Sequence, residues 1–269
     1  MRCWGVLGKS MSSLKEKYEN SKLSGVIGVF GKSVVAFLKG CYPILVYYLI
    51  IGAVVFVSGL IFGSGKLWGS IVEAVGTVVA IPYLRHVFRK DVLLRAYGIL
   101  TRQNVEKKER VLRYLYGAAS IIVVALAMNN ILGYLPLDRI STAYQKVSGE
   151  LYAGPVLVQI LCLGFVVPYG EELLFRGVIL GRLKDAFGAQ KAIIISAVLF
   201  GVVHGNLVQL IYARIVGLAL AYFADKHQSL WPAYLGHCAA NLFAIAVQNG
   251  VFPVPESFLL RLLGKIILV

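Results

Sequence analysis

The sequence predicts an all-α, polytopic transmembrane helical bundle with about seven to eight spans. Three observations carry this. The 269 residues are 58% hydrophobic and only 15% charged, with a mean hydropathy of +0.76, whereas soluble domains run near half apolar and a quarter charged. Uncharged runs recur along the chain, and about 20 apolar residues suffice to cross a hydrocarbon core. The basic residues, source of a net charge of +14, collect between those runs, where they set orientation.

Four segments follow in order. Residues 1–39 form a basic N-terminal segment, expected to be cytoplasmic, with Lys9, Lys15, Lys17, Lys22, Lys32 and Lys39 against Glu16 and Glu19. It lacks an apolar stretch ending at a small-residue cleavage site, so it is not read as a signal peptide. Residues 40–150 carry the N-terminal transmembrane helices: an uncharged stretch between Lys39 and Lys66, a shorter run over 67–84 that contains Glu73, and a run over 115–137. The basic loop 85–113 separates the last two, with nine Lys or Arg against Asp91, Glu106 and Glu109. The charge-balanced segment 138–150 reads as a loop. Residues 151–250 form an apolar core with isolated polar residues, and 251–269 a short apolar helix, interfacial or spanning. Placing 1–39, 85–113 and the mildly basic 182–191 in the cytoplasm, with 138–150 on the opposite face, satisfies the positive-inside rule.

The same features narrow the partners. A net positive charge in a soluble protein would suggest nucleic acid; here anionic lipid head groups are the expected partner, and no nucleic acid is expected. The cysteines at 3, 41, 162 and 238 are scattered and show no CxxC spacing. Neither a disulfide framework nor a cysteine-based zinc site is suggested, and buried inert thiols are the reading.

Polar groups inside apolar runs cost roughly 2.5–3.5 kcal/mol each on insertion scales, so each asks for a reason. The run 168–183 (PYGEELLFRGVILGRL) holds adjacent Glu171 and Glu172, with Arg176 four residues after the second. On a helix Glu172 and Arg176 pair at i,i+4 with the acid on the N-terminal side, the better orientation. Glu171 projects about 100° away without that partner, which suits a base. Phe200 and His204 lie one helical turn apart, and His237 and Asn241 share a helix face at i,i+4. Singly, such residues serve as packing histidines, interhelical glue or a bundle-stabilising pair. Jointly, in a bundle, they must face inward and meet. Two GxxxG spacings, Gly177–Gly181 and Gly201–Gly205, would let the motif helices approach closely. Arg214, between two apolar runs, reads as a short turn rather than the lining of a substrate path.

Other intramembrane protease chemistries lack their signatures. There is no HExxH zinc helix, no GxSG serine motif and no GxGD aspartyl motif, and Asp is absent from the apolar runs. GLIFGSGK is not a P-loop, because Leu60 occupies the first glycine position.

The sequence Pro168-Tyr-Gly-Glu171-Glu172-Leu-Leu-Phe175-Arg176-Gly177, followed by Phe200–His204 and His237–Asn241, resembles the CAAX-prenyl-protease type II and bacteriocin-processing (CPBP, or Abi) family of intramembrane endopeptidases. The likeness covers about 150–248. It implies that Glu171 and His204 activate a water for attack on a scissile carbonyl, and that His237 and Asn241 stabilise the oxyanion. Glu172 and Arg176 would be a structural pair holding Glu171, and Phe200 would pack. Glu171, His204 and His237 could also form a three-ligand zinc site with an open position. The glutamate-activated water requires no cofactor, and that reading is preferred. The implied substrate is a membrane-associated peptide or protein, the implied location a bacterial plasma membrane. Two other functions stay open: a catalytically silent relative acting as an immunity factor or membrane-protein partner, and a proton-coupled transporter using the same carboxylates and histidines. The second lacks visible repeat symmetry.

Overall fold

A computed structural model describes residues 3–63, 68–96, 107–134 and 141–251, with side chains described from residue 31 onward except at 96, 107, 130, 133 and 134. The terminal segment 252–269, expected as a short helix, lies outside the described residues. Those described fold into helices: α1 Cys3–Phe62, α2 Gly69–Ala96, α3 Lys107–Tyr134, α4 Thr142–Leu151, α5 Val156–Phe187, α6 Ala189–Val202, α7 Leu207–His227 and α8 Trp231–Gln248. No strand occurs among them. The chain is a polytopic all-α protein, as expected.

Five helices are long and apolar enough to cross a bilayer: Gly31–Phe62, Gly69–Arg95, Lys108–Asn129, Val156–Phe187 and Leu207–His227. Seven are reached only by adding α6, apolar but 14 residues long, and α8, whose apolarity His237 and Asn241 dilute. Compact units divide at Cys41/Tyr42, and every helix from α2 to α8 lies in the second.

Three local expectations are corrected. The presumed loop 138–150 holds helix α4, because Ser141 caps it by accepting a hydrogen bond from the Tyr144 amide. Arg214 does not mark a turn. It lies within the unbroken α7, and the break falls earlier, at 203–206, where Gly205 takes φ +70° and Asn206 caps α7 by accepting from the Gln209 amide. Gly205 therefore leaves the helix, and Gly201–Gly205 is not a packing pair. Gly201 alone makes the close approach: a Cβ there would lie 2.7 Å from the Leu210 carbonyl oxygen of α7. Gly177 and Gly181 do share a face, against Phe88 and Arg95 of α2.

Helix α5 is the centre of the core, and every residue from Gly170 to Leu180 is buried. Helices α2, α6, α7 and α8 pack around it, while α3 packs on α7 and α8. Charge pairs gather at one end of the bundle. Arg182 of α5 binds Asp91 of α2 through Nε (2.6 Å) and a terminal nitrogen (3.1 Å). Arg95 binds Asp185 at 2.9 Å, and Lys184 binds Asp225 of α7. Segments 85–95 and 182–185, both expected on one face, thus lie together. At the other end of α2, Gly69 touches the Glu150 carbonyl of α4, and Gly154 faces Trp68. Asp91 and Gly69 are roughly 33 Å apart along a helix rising 1.5 Å per residue.

Candidate active site

The α5 helix is not uniform. Two π-helical segments, Ile160–Val166 and Leu173–Ile179, bracket the α-helical turns Val167–Glu172 that carry both glutamates. Such wide turns mark functional sites often. In the first, bonds run five residues back: the Val167 amide donates to the Cys162 carbonyl. The Leu163 carbonyl would take the next amide, that of residue 168, but Pro168 has none. Asn241 of α8 supplies the missing hydrogen through its side-chain amide, 2.8 Å from the Leu163 oxygen. The proline before the glutamates and the asparagine after the second histidine thus answer one another.

Glu172 is 1% exposed and Arg176 4%, and they pair at 3.0 Å, as the spacing predicts. Arg176 also donates to the Gly217 carbonyl at 3.2 Å and lies over the Phe200 ring, 4.4 Å from its centroid. Gly217 leaves the room: a Cβ there would crowd both Phe200 and Arg176. His237 joins this network. Its Nδ1–H donates to the same Glu172 oxygen at 2.8 Å, and its Nε2 lies 3.6 Å from Glu171. A carboxylate partner on Nδ1 orients the ring and leaves Nε2 for chemistry.

His204 stands not on α6 but in the turn after it. Its Nδ1 is 2.6 Å from the Phe200 carbonyl, and a carbonyl only accepts, so Nδ1 carries a proton and the neutral ring offers its lone pair at Nε2. The Phe200 ring meets both imidazoles edge to face, at 5.0 Å from His204 and 5.7 Å from His237. Phe200 is the packing wedge between them.

Glu171, Phe200, His204, His237 and Asn241 line one cavity of about 900 Å³ that runs toward α4, reaching Trp68 and Glu150. Glu172 does not line it. It lines a second cavity of about 610 Å³, together with Arg85, Arg89, Arg110 and Trp231. The adjacent glutamates thus serve different sides. Among the described residues no three His, Cys, Asp or Glu side chains converge tightly enough to hold an ion, so as placed Glu171, His204 and His237 do not form a ligand set. Sequence reasoning left out Glu73 and Glu150, which also line the first cavity. Glu73 had the usable signal, the sole charge in its apolar run.

Fold and site define an integral membrane protein whose buried polar groups converge beside a cavity between helices. Residues 153–243 match the family model described as type II CAAX prenyl endopeptidase Rce1-like, so the resemblance read from the three motifs is borne out. The chain is 25% identical over 217 residues to the "Putative membrane peptidase YdiL" of Bacillus subtilis (strain 168), covering 77% of this chain and 88% of that protein. It is 29% identical over 140 residues to the "UPF0177 protein YxdF" of Lactococcus lactis subsp. lactis (strain IL1403), covering 49% and 76% respectively. No solved structure matches.

Proposed function

We propose that the chain is an intramembrane endopeptidase that hydrolyses a peptide bond of a membrane-associated substrate. The observation that carries this reading is His237, hydrogen-bonded to Glu172 and within 3.6 Å of Glu171 at the wall of a substrate-sized cavity. Glu171 takes a proton from water, assisted by the free Nε2 of His204, as the oxygen attacks the scissile carbonyl carbon. The proton passes to the departing amine, leaving an acid and an amine product. His237 and the second N–H of Asn241 donate to the oxyanion; removing one such donor typically costs 10²–10³ in turnover, by order of magnitude. Glu172 and Arg176 hold His237 and α5 in register. The match to a peptidase family over 153–243 supports the same chemistry.

The test is cleavage of a panel of quenched membrane peptides by purified protein, wild type against Glu171→Gln. Turnover by wild type and none by the variant is expected, with activity surviving exhaustive chelation and zinc bound substoichiometrically. Stoichiometric zinc, lost together with activity and restored with it, would replace the unassisted water with a metal-bound one. Equal turnover by Glu171→Gln would remove it as the base.

A further inference from the structure

The eight acidic residues with described side chains sort into two sets. Asp91, Glu109, Glu172, Asp185 and Asp225 each have an Arg or Lys partner. Glu73, Glu150 and Glu171 have none among the described residues, and all three line the 900 Å³ cavity. No Lys or Arg is among the described residues lining it, although the chain has 27 Lys and Arg against 13 Asp and Glu. A carboxylate within a membrane span is costly unless a cation or water-filled space receives it. Glu73 lies inside the span Gly69–Arg95, is only partly exposed, and has no hydrogen-bond or basic partner among the described residues. The cavity it lines is open to a cationic group from a bound substrate.

The three carboxylates are also spaced. Thr77 of α2 packs on Gly170, where a Cβ would lie 2.3 Å from its Cγ2, which puts Glu171 near the level of Thr77. Glu73 is one turn nearer α4, and Glu150 contacts Gly69, one turn further. Steps of four residues on a helix are about 6 Å. An extended peptide repeats side chains on one face every two residues, about 6.8 Å. The aromatic walls, Tyr48, Trp68 and Tyr152, suit the apolar stem and charged head of a long basic side chain.

We propose that Glu73 is a specificity-determining residue: with Glu150 it receives a Lys or Arg side chain of the substrate, two residues from the scissile bond on the side toward α4. This rests on the peptidase reading above and names the substrate class, a basic peptide segment.

The full-length protein in lipid nanodiscs is given quenched peptides that differ only in Lys or Gln at the second position on either side of the cleaved bond. Wild type favours Lys on one side by about tenfold or more in kcat/KM, the size expected of a desolvated charge pair. The ratio falls toward one in Glu73→Gln, persists in Glu73→Asp, and weakens in Glu150→Gln, with folding followed by thermal unfolding. Equal cleavage of Lys and Gln peptides by wild type overturns the assignment and leaves the peptidase reading standing. If Glu73→Gln does not fold, Glu73→Ser takes its place, and an undiminished Lys preference in that variant overturns the assignment. If no peptide is cut, binding of the labelled pair to Glu171→Gln decides: tighter Lys peptide supports the charged subsite without a peptidase, and equal Kd removes it.

Discussion

His237 is the residue at which the two adjacent glutamates part. It donates to Glu172 and turns its other nitrogen to Glu171, so their neutral variants should fail differently. Glu171→Gln keeps shape and should abolish hydrolysis with the melting temperature in detergent unchanged. Glu172→Gln strands Arg176 in a buried site, and breaking a buried pair costs about 3–5 kcal/mol. That variant should lose thermal stability and activity together, with Arg176→Gln alike. Neutralising both should restore part of the stability but little activity, because His237 has still lost its carboxylate. Melting curves and turnover on the four variants check this; a stable but inactive Glu172→Gln would exchange the roles of the two acids. The pair itself was legible in sequence because i,i+4 spacing is a local property. The double duty of Glu172 was not, since its second partner is 65 residues away.

At the scale of elements, the site depends on backbones brought close. Helices α6 and α7 meet where Gly201 faces the Leu210 carbonyl at 2.7 Å from a Cβ position, and His204 sits in the turn joining them. A methyl group there has a backbone atom in its way. Gly201→Ala should therefore lower stability by about 1–3 kcal/mol, the range for overpacking, and reduce turnover by displacing His204. Gly52→Ala, on an exposed face of α1 with nothing within 4 Å and outside the cavity lining, is the control and should be neutral or stabilising by about 0.5–1 kcal/mol. Thermal unfolding and peptide turnover read both. Glycine spacing in the sequence pointed at Gly201 but paired it with Gly205. Only the break at 203–206 shows that the second glycine serves φ +70° rather than packing.

For the whole molecule, the question is which face of the membrane each end of the bundle meets. The charge pairs of α2, α5 and α7 gather at one end and α4 at the other. By the positive-inside rule the first end is expected to be the cytoplasmic one. A cysteine introduced at Ser148, on α4, is expected to react with an impermeant thiol reagent added from the outer side. Labelling from the cytoplasmic side would invert the orientation. Because the cavity lined by Glu171 extends to Glu150, the same experiment tells which compartment the Glu150 end of that cavity faces.

The all-α membrane class, the motif residues and the Glu172–Arg176 pair were determined by the sequence itself. Each follows from composition or spacing within a single helix, and a bilayer makes stray polar groups expensive enough to stand out. The tertiary structure decided what depends on helices meeting. It moved the break from Arg214 to 203–206, made α4 a helix, and set Asn241 on the Leu163 carbonyl that Pro168 leaves unbonded. It also separated the paired acids from the unpaired ones. Charge neutralisation is a matter of distance in space, and the basic partners of Asp91, Asp185 and Asp225 lie at least 41 residues away in the chain.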